Sequence, residues 1–255
     1  MVTENALRRG GFADERRQFL AEARALERAQ GAPGLPYFVG ACDGLRPAVA
    51  TERCFAGLRT YAFDGPRALS YDERLALTIQ VAEALLAAER ALGGPGRFLC
   101  DHHYRQYVVC ADATGAARVK LADLDSLSRR GAQGGRRCAG EPADFCARGC
   151  DSSHGPSMAN EHAEYSRRGN VPHEFACVEG TCAASDARLN AFRACAAIFD
   201  FIWWSGGVPP SQVPRLRAVE RSCANPDPSR RASLAQVAKG LRGLDDLANT
   251  TREHS

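Results

Sequence analysis

The sequence predicts an α+β chain, and three observations carry that prediction. Apolar residues recur at helical spacing near residues 13–30, near 71–92 and again from about 189 onward. Between these segments, short apolar runs come in pairs around turn sequences, as the strands of hairpins do. No internal repeat suggests a solenoid or a propeller.

The elements follow in order. "ADERRQFLAEARALERAQ" places Phe19, Leu20, Ala23 and Leu26 on one helical face with charges between them, and "GAPGLP" stops the helix. "YFVGACDGLRPAVATERC" reads as two short strands around a "CDG" turn. Ser70 and Glu73 stand at capping-box spacing and open a long helix over about 71–92, with Leu75, Ile79, Ala82, Leu85 and Leu86 on its apolar face. "RQYVVCAD" and "ARVKLAD" flank "ATG" and predict a hairpin. Residues 129–188 are rich in Gly, Ser, Arg and Cys with little periodicity, too long for a plain loop, so cross-links or metal are expected there. "LNAFRACAAIFDFIWW" is apolar nearly all round, as a buried helix should be, and "SLAQVAKGLRGLDDLA" is an amphipathic closing helix.

Composition narrows the function classes. The 255 residues are 45% apolar and 25% charged, with a formal net charge of +3. That is an ordinary globular balance, and the charge is too small to argue for nucleic acid or a membrane surface. No run is long and apolar enough to span a bilayer, and "MVTENALRRGGFADERRQ" has no apolar core of a signal peptide. Eleven cysteines, however, are many for a reducing compartment. The odd number leaves at least one unpaired or bonded outside the chain.

The chemistry-bearing signal is a hairpin with acids at its ends. In "FLCDHHYRQYVV" Asp101 follows an apolar run, and in "VKLADLDSL" Asp123 and Asp125 end another. Alone, each aspartate is an ordinary turn or strand-end residue. Together, with Gln106 between Asp101 and the first strand, they resemble the catalytic loop, hairpin and Asp-Phe-Gly segment of eukaryotic protein kinases. Gln106 stands where that family has asparagine, and Asp123–Leu124–Asp125 where it has Asp-Phe-Gly. With the cysteine-rich stretch "RRC", "DFCARGC" and "CVEGTCAASDARLNAF", the chain is similar to the divergent protein kinases of the secretory pathway, in the vertebrate lonesome kinase-like branch, over about residues 15–245.

The resemblance implies a kinase-like fold: residues 1–55 a partial small lobe and 56–250 a mostly helical large lobe, with 129–188 as a cysteine-rich activation segment. It implies transfer of the ATP γ-phosphate to a hydroxyl, tyrosine or other, on a protein substrate in the ER/Golgi lumen or outside the cell. The cofactors would be ATP and Mg2+ (or Mn2+). Asp101 would be the base, Gln106 and Asp123 the metal ligands, and His103, when protonated, would face the transferred phosphate. Glu22 would take the place of the helix glutamate that pairs with a strand lysine, with Glu15 or Glu27 as substitutes. Departures accompany the likeness. Cys100 replaces the arginine that usually precedes the catalytic aspartate, and neither a glycine-rich loop nor the strand lysine is found. A true start upstream of Met1 is the preferred explanation, and a catalytically inactive pseudokinase acting as a binding protein is the alternative.

Disulfides are the first expectation for Cys138, Cys146, Cys150, Cys177 and Cys182, a zinc site with His154 the second, and buried thiols the third. Cys42, Cys100, Cys110 and Cys195 lie in apolar stretches and fit either thiols or bridges. "NTT" at Asn249 is an N-glycosylation acceptor.

Overall fold

The computed structural model describes residues 12–44, 48–63, 68–92, 106–124, 137–140, 177–182, 188–203 and 207–253. The chain is a mixed α+β structure of helices and small antiparallel sheets. Helix α1 (Phe12–Arg28) is followed by the β1 (Phe38–Cys42) and β2 (Ala48–Thr51) hairpin, whose register shifts between Phe38 and Gly40. Strand β3 (Cys54–Gly57) leads directly into the short helix α2 (Leu58–Phe63). Neither β3 nor α2 was expected from the sequence. Four apolar residues followed by one and a half helical turns carry too little periodicity to announce themselves.

Helix α3 (Tyr71–Ala91) is the centre of the packing. Its start is set locally. The Ser70 hydroxyl accepts the Glu73 amide at 3.3 Å, and the Glu73 carboxylate accepts the Ser70 amide at 2.9 Å. This reciprocal cap satisfies donors that the first turn otherwise leaves open. The predicted face is buried at Leu75, Ile79, Ala82 and Leu85. Leu77, Val81, Ala84 and Ala88 are buried as well, so α3 hides more than one face. The cause is tertiary, because three elements pack around it.

Two of the three are helices: α4 (Arg188–Trp203) and the closing helix α6 (Leu234–Glu253). The third is β5 (Ala117–Leu121), which pairs with β4 (Tyr107–Ala111) in the predicted hairpin. Strand β3 adds to the other edge of β4, giving a three-stranded sheet in the order β3-β4-β5. Helix α5 (Val213–Cys223) and a single 3-10 turn (Pro228–Arg230) join α4 to α6. The 3-10 turn starts at Asp227, whose carboxylate accepts the Ser229 amide at 2.9 Å. Within the 129–188 segment the described part is small: β6 (Cys177–Val178) and β7 (Thr181–Cys182) form a minimal hairpin, with Arg137 bridged to Thr181.

The largest fully buried side chains include Leu75 and Leu85 of α3, Tyr107 and Leu121 of the hairpin, Leu124, Phe199 and Ile202 of α4, and Leu216 of α5. Helix and sheet therefore share one core, and the hairpin is rooted in it.

Candidate functional site

The β4–β5 hairpin is in regular register from Tyr107 opposite Leu121 to Ala111 opposite Ala117. Its turn is closed by Asp112. One carboxylate oxygen accepts the Thr114 hydroxyl and the amides of Thr114 and Ala116. The other accepts Arg118 Nε at 2.8 Å. Hydrogen bonds from Thr114 and then from Arg118 hold the Asp112 carboxyl well below the usual carboxylate range.

The far end of the hairpin carries the candidate site. The Gln106 carbonyl accepts the Ala122 amide at 2.8 Å and the Asp123 amide at 3.4 Å. Gln106 and Asp123, distant in sequence, are thus side by side in space. Two buried anchors hold them there. Tyr107 follows Gln106 into the core, and Leu124 follows Asp123. Burial pushes the Tyr107 hydroxyl far above its ordinary value, so it stays neutral. Gln106 is itself only 2% exposed, and Asp123 is half-buried. An amide oxygen and a carboxylate are hard oxygen donors of the type that magnesium and manganese accept.

Among the other expected site residues, Glu22 is half-buried on α1. Asp101, His103, Asp125, Cys100, Cys146, Cys150 and His154 lie outside the described residues. Cys138 is bonded to Cys177, and Cys182 is also in a disulfide. A bridged sulfur has no thiolate to offer a metal. The zinc alternative is therefore set aside for these three. Two further bridges join Cys54 to Cys110 and Cys195 to Cys223. Cys110 and Cys195 are thus bridges rather than thiols, with partners that spacing did not indicate. Cys42 is a free, exposed thiol. Asn249 falls within α6.

Sequence reasoning missed two supports of the hairpin. Lys120 Nζ lies 2.5 Å from Glu52 Oε1, which also accepts the Tyr37 amide. Burial alone would raise the Glu52 carboxyl, but hydrogen bonds from Lys120 and Tyr37 outweigh it and hold it below its ordinary value. The outer edge of β5 is also covered. The Val119 amide donates to the Gln80 side chain and the Leu121 amide to the Gly34 carbonyl, each at 2.9 Å. Only the "GAPG" turn in the sequence hinted at Gly34; nothing local marked Gln80 or Glu52.

A cavity of about 630 Å³ runs from the turn of the hairpin along β5, between β5, α3 and the loop after α1. Gln106, Asp123 and Glu22 are not among its lining residues. No family model and no curated protein matches the sequence. What Gln106 and Asp123 do is therefore read from their own chemistry.

Proposed function

We propose that the chain is a kinase-like phosphotransferase that moves the ATP γ-phosphate to a hydroxyl on proteins of the ER/Golgi lumen or the extracellular space. One observation carries the reading. The Gln106 carbonyl accepts the Ala122 and Asp123 amides, so the backbones that carry an amide side chain and a carboxylate lie side by side at the end of a core-rooted hairpin. The order of the larger elements supports it: a helix, a strand pair, then after β3 and α2 a long buried helix, the hairpin and, beyond β6 and β7, a buried helix. A hairpin fixes the separation of its two ends more rigidly than a loop, and phosphoryl transfer depends mostly on positioning.

In this reading Gln106 and Asp123 hold the divalent ion, which when bound neutralises the phosphate charge. Asp101 orients the acceptor hydroxyl and takes its proton, and His103 adds positive charge below neutral pH. The disulfides support an oxidising location. No helix among the described residues is long and apolar enough to cross a membrane.

The test is divalent-dependent transfer of γ-phosphate to tyrosine- and serine-containing peptides, native chain against Asp123→Ala. A loss of roughly a hundredfold or more is expected from removing one charge-bearing group of this kind. Equal transfer by both forms overturns the proposal.

A second reading, a pseudokinase that acts by binding, has its own observation. The chain has two lysines, and Lys120 is engaged by Glu52 while Lys239 sits on α6. The ammonium of the strand lysine, Lys120, is thus already committed to Glu52. Unchanged partner binding in Asp123→Ala, with no transfer by the native chain, favours this reading.

A further inference from the structure

We propose that the cavity along β5 binds a short acidic peptide segment carrying an apolar side chain. It is a different place from the Gln106–Asp123 end, since neither of those residues lines it, and it does not depend on phosphoryl transfer. A volume of about 630 Å³ is in the range of specific ligand sites.

The lining has three kinds of surface. The floor is small and apolar, with Ala84 and Ala87 on α3 facing the loop after α1. Tyr37 stands at the wall with 56% of its surface exposed, so its ring is open to a guest. The rim carries Arg90, Arg118 and Arg242, with Lys120 deeper against β5. The acids that face these cations are Asp112 and Glu83 in the lining and Glu52 behind Lys120.

The pairing of those charges decides the ligand. Arg118 is held on Asp112 through Nε alone, and Arg242 on Glu83 through Nε and Nη2. A guanidinium has five N–H donors, so each fork keeps donors in reserve while its position is already fixed. Arg90 makes no ion pair or hydrogen bond among the described residues. Four cations against three acids, one of the cations unengaged, favour an anionic guest. Arginine and tyrosine are also the side chains that most often dominate peptide and protein contacts.

The same geometry excludes strand addition. The Val119 and Leu121 amides on the edge of β5 are already taken by Gln80 and Gly34. Recognition must come from side chains: carboxylates of the guest on the arginine rim, and an apolar side chain between Tyr37 and the alanine floor. The opening is a groove rather than a closed chamber, which suits an extended segment more than an enclosed small molecule.

The test is fluorescence polarisation on the full chain without nucleotide. The probe is a labelled peptide Gly-Asp-Leu-Glu-Leu-Gly, beside its counterpart with lysine at both acidic positions and vesicles of anionic lipid. Saturable binding of the acidic probe is expected, weakened roughly tenfold by Arg90→Glu and also by Tyr37→Ala, and falling with added salt. Arg90 is exposed at the last turn of α3, so its reversal leaves the core intact; far-UV circular dichroism checks this. No saturation below about 1 mM, equal affinity for the lysine peptide, or undiminished binding by Arg90→Glu overturns the proposal. Vesicle binding that Arg90→Glu abolishes, with no binding of the peptide, overturns it in favour of a membrane surface.

Discussion

Gly34 meets two constraints at once. Its φ of +82° is in the left-handed region, and a Cβ built there would lie 2.5 Å from the Ala84 backbone. Its carbonyl also accepts the Leu121 amide, so the loop, α3 and β5 meet at this one residue. Gly34→Ala therefore loses backbone freedom and forces the loop from α3. A destabilisation of about 2–4 kcal/mol is expected, read as a lower urea midpoint. Glu52 gives a prediction with a sign. Its folded pKa is held below the ordinary value of 4.5. Its contribution is thus fully present above 4.5 and is lost as pH falls through the folded value. Glu52→Gln should flatten the stability profile on that acidic side and leave the pH dependence near neutrality unchanged, as chemical denaturation across pH would show.

At the scale of elements, α3 shows how a local signal and a tertiary setting combine. The capping box at Ser70 and Glu73 starts the helix wherever the chain places it. Ser70→Ala should cost about 1 kcal/mol, and Ser70→Thr much less, by thermal or urea unfolding. The partners of α3 are a different matter. Arg242 of α6 reaches Glu83, and Asn190 of α4 donates to Glu89 at 2.6 Å. These bonds join α3 to the helices whose packing buries it beyond its predicted stripe. The hairpin behaves similarly: its turn is local, closed by Asp112 within five residues, but its position depends on Gln80 and Gly34.

At the scale of the molecule, the disulfides tie one element to another through space. Cys54–Cys110 joins β3 to β4 and Cys195–Cys223 joins α4 to α5, closing loops of 56 and 28 residues. Loop-closure entropy assigns such links about 3–4 kcal/mol each in the chain-entropy account. The Cys195→Ser, Cys223→Ser double variant should therefore unfold roughly 6–12 °C lower than the native chain in a thermal scan. An unchanged midpoint would mean that helix packing alone holds α4 on α5.

Much of this was legible beforehand where neighbours in sequence suffice. The α1 face, the Ser70 cap, the β1–β2 and β4–β5 hairpins and the all-round apolar α4 are short-range patterns. So was the suspicion that Gln106 and Asp123 belong together, because a hairpin brings its own ends together by construction. Strand β3 and helix α2 were not legible; both are too short to show a period, and β3 exists because β4 offers it an edge.

The sequence by itself determined the longer helices, the β1–β2 and β4–β5 hairpins with their caps and turns, and with the second hairpin the placing of Gln106 beside Asp123. All of these depend on residues close along the chain. Only the tertiary structure decided that Cys54 meets Cys110 and Cys195 meets Cys223, that Lys120 finds Glu52, and that Gly34 must clear Ala84. Those pairings are set by distance through space, which chain order leaves open until the core around α3 has closed.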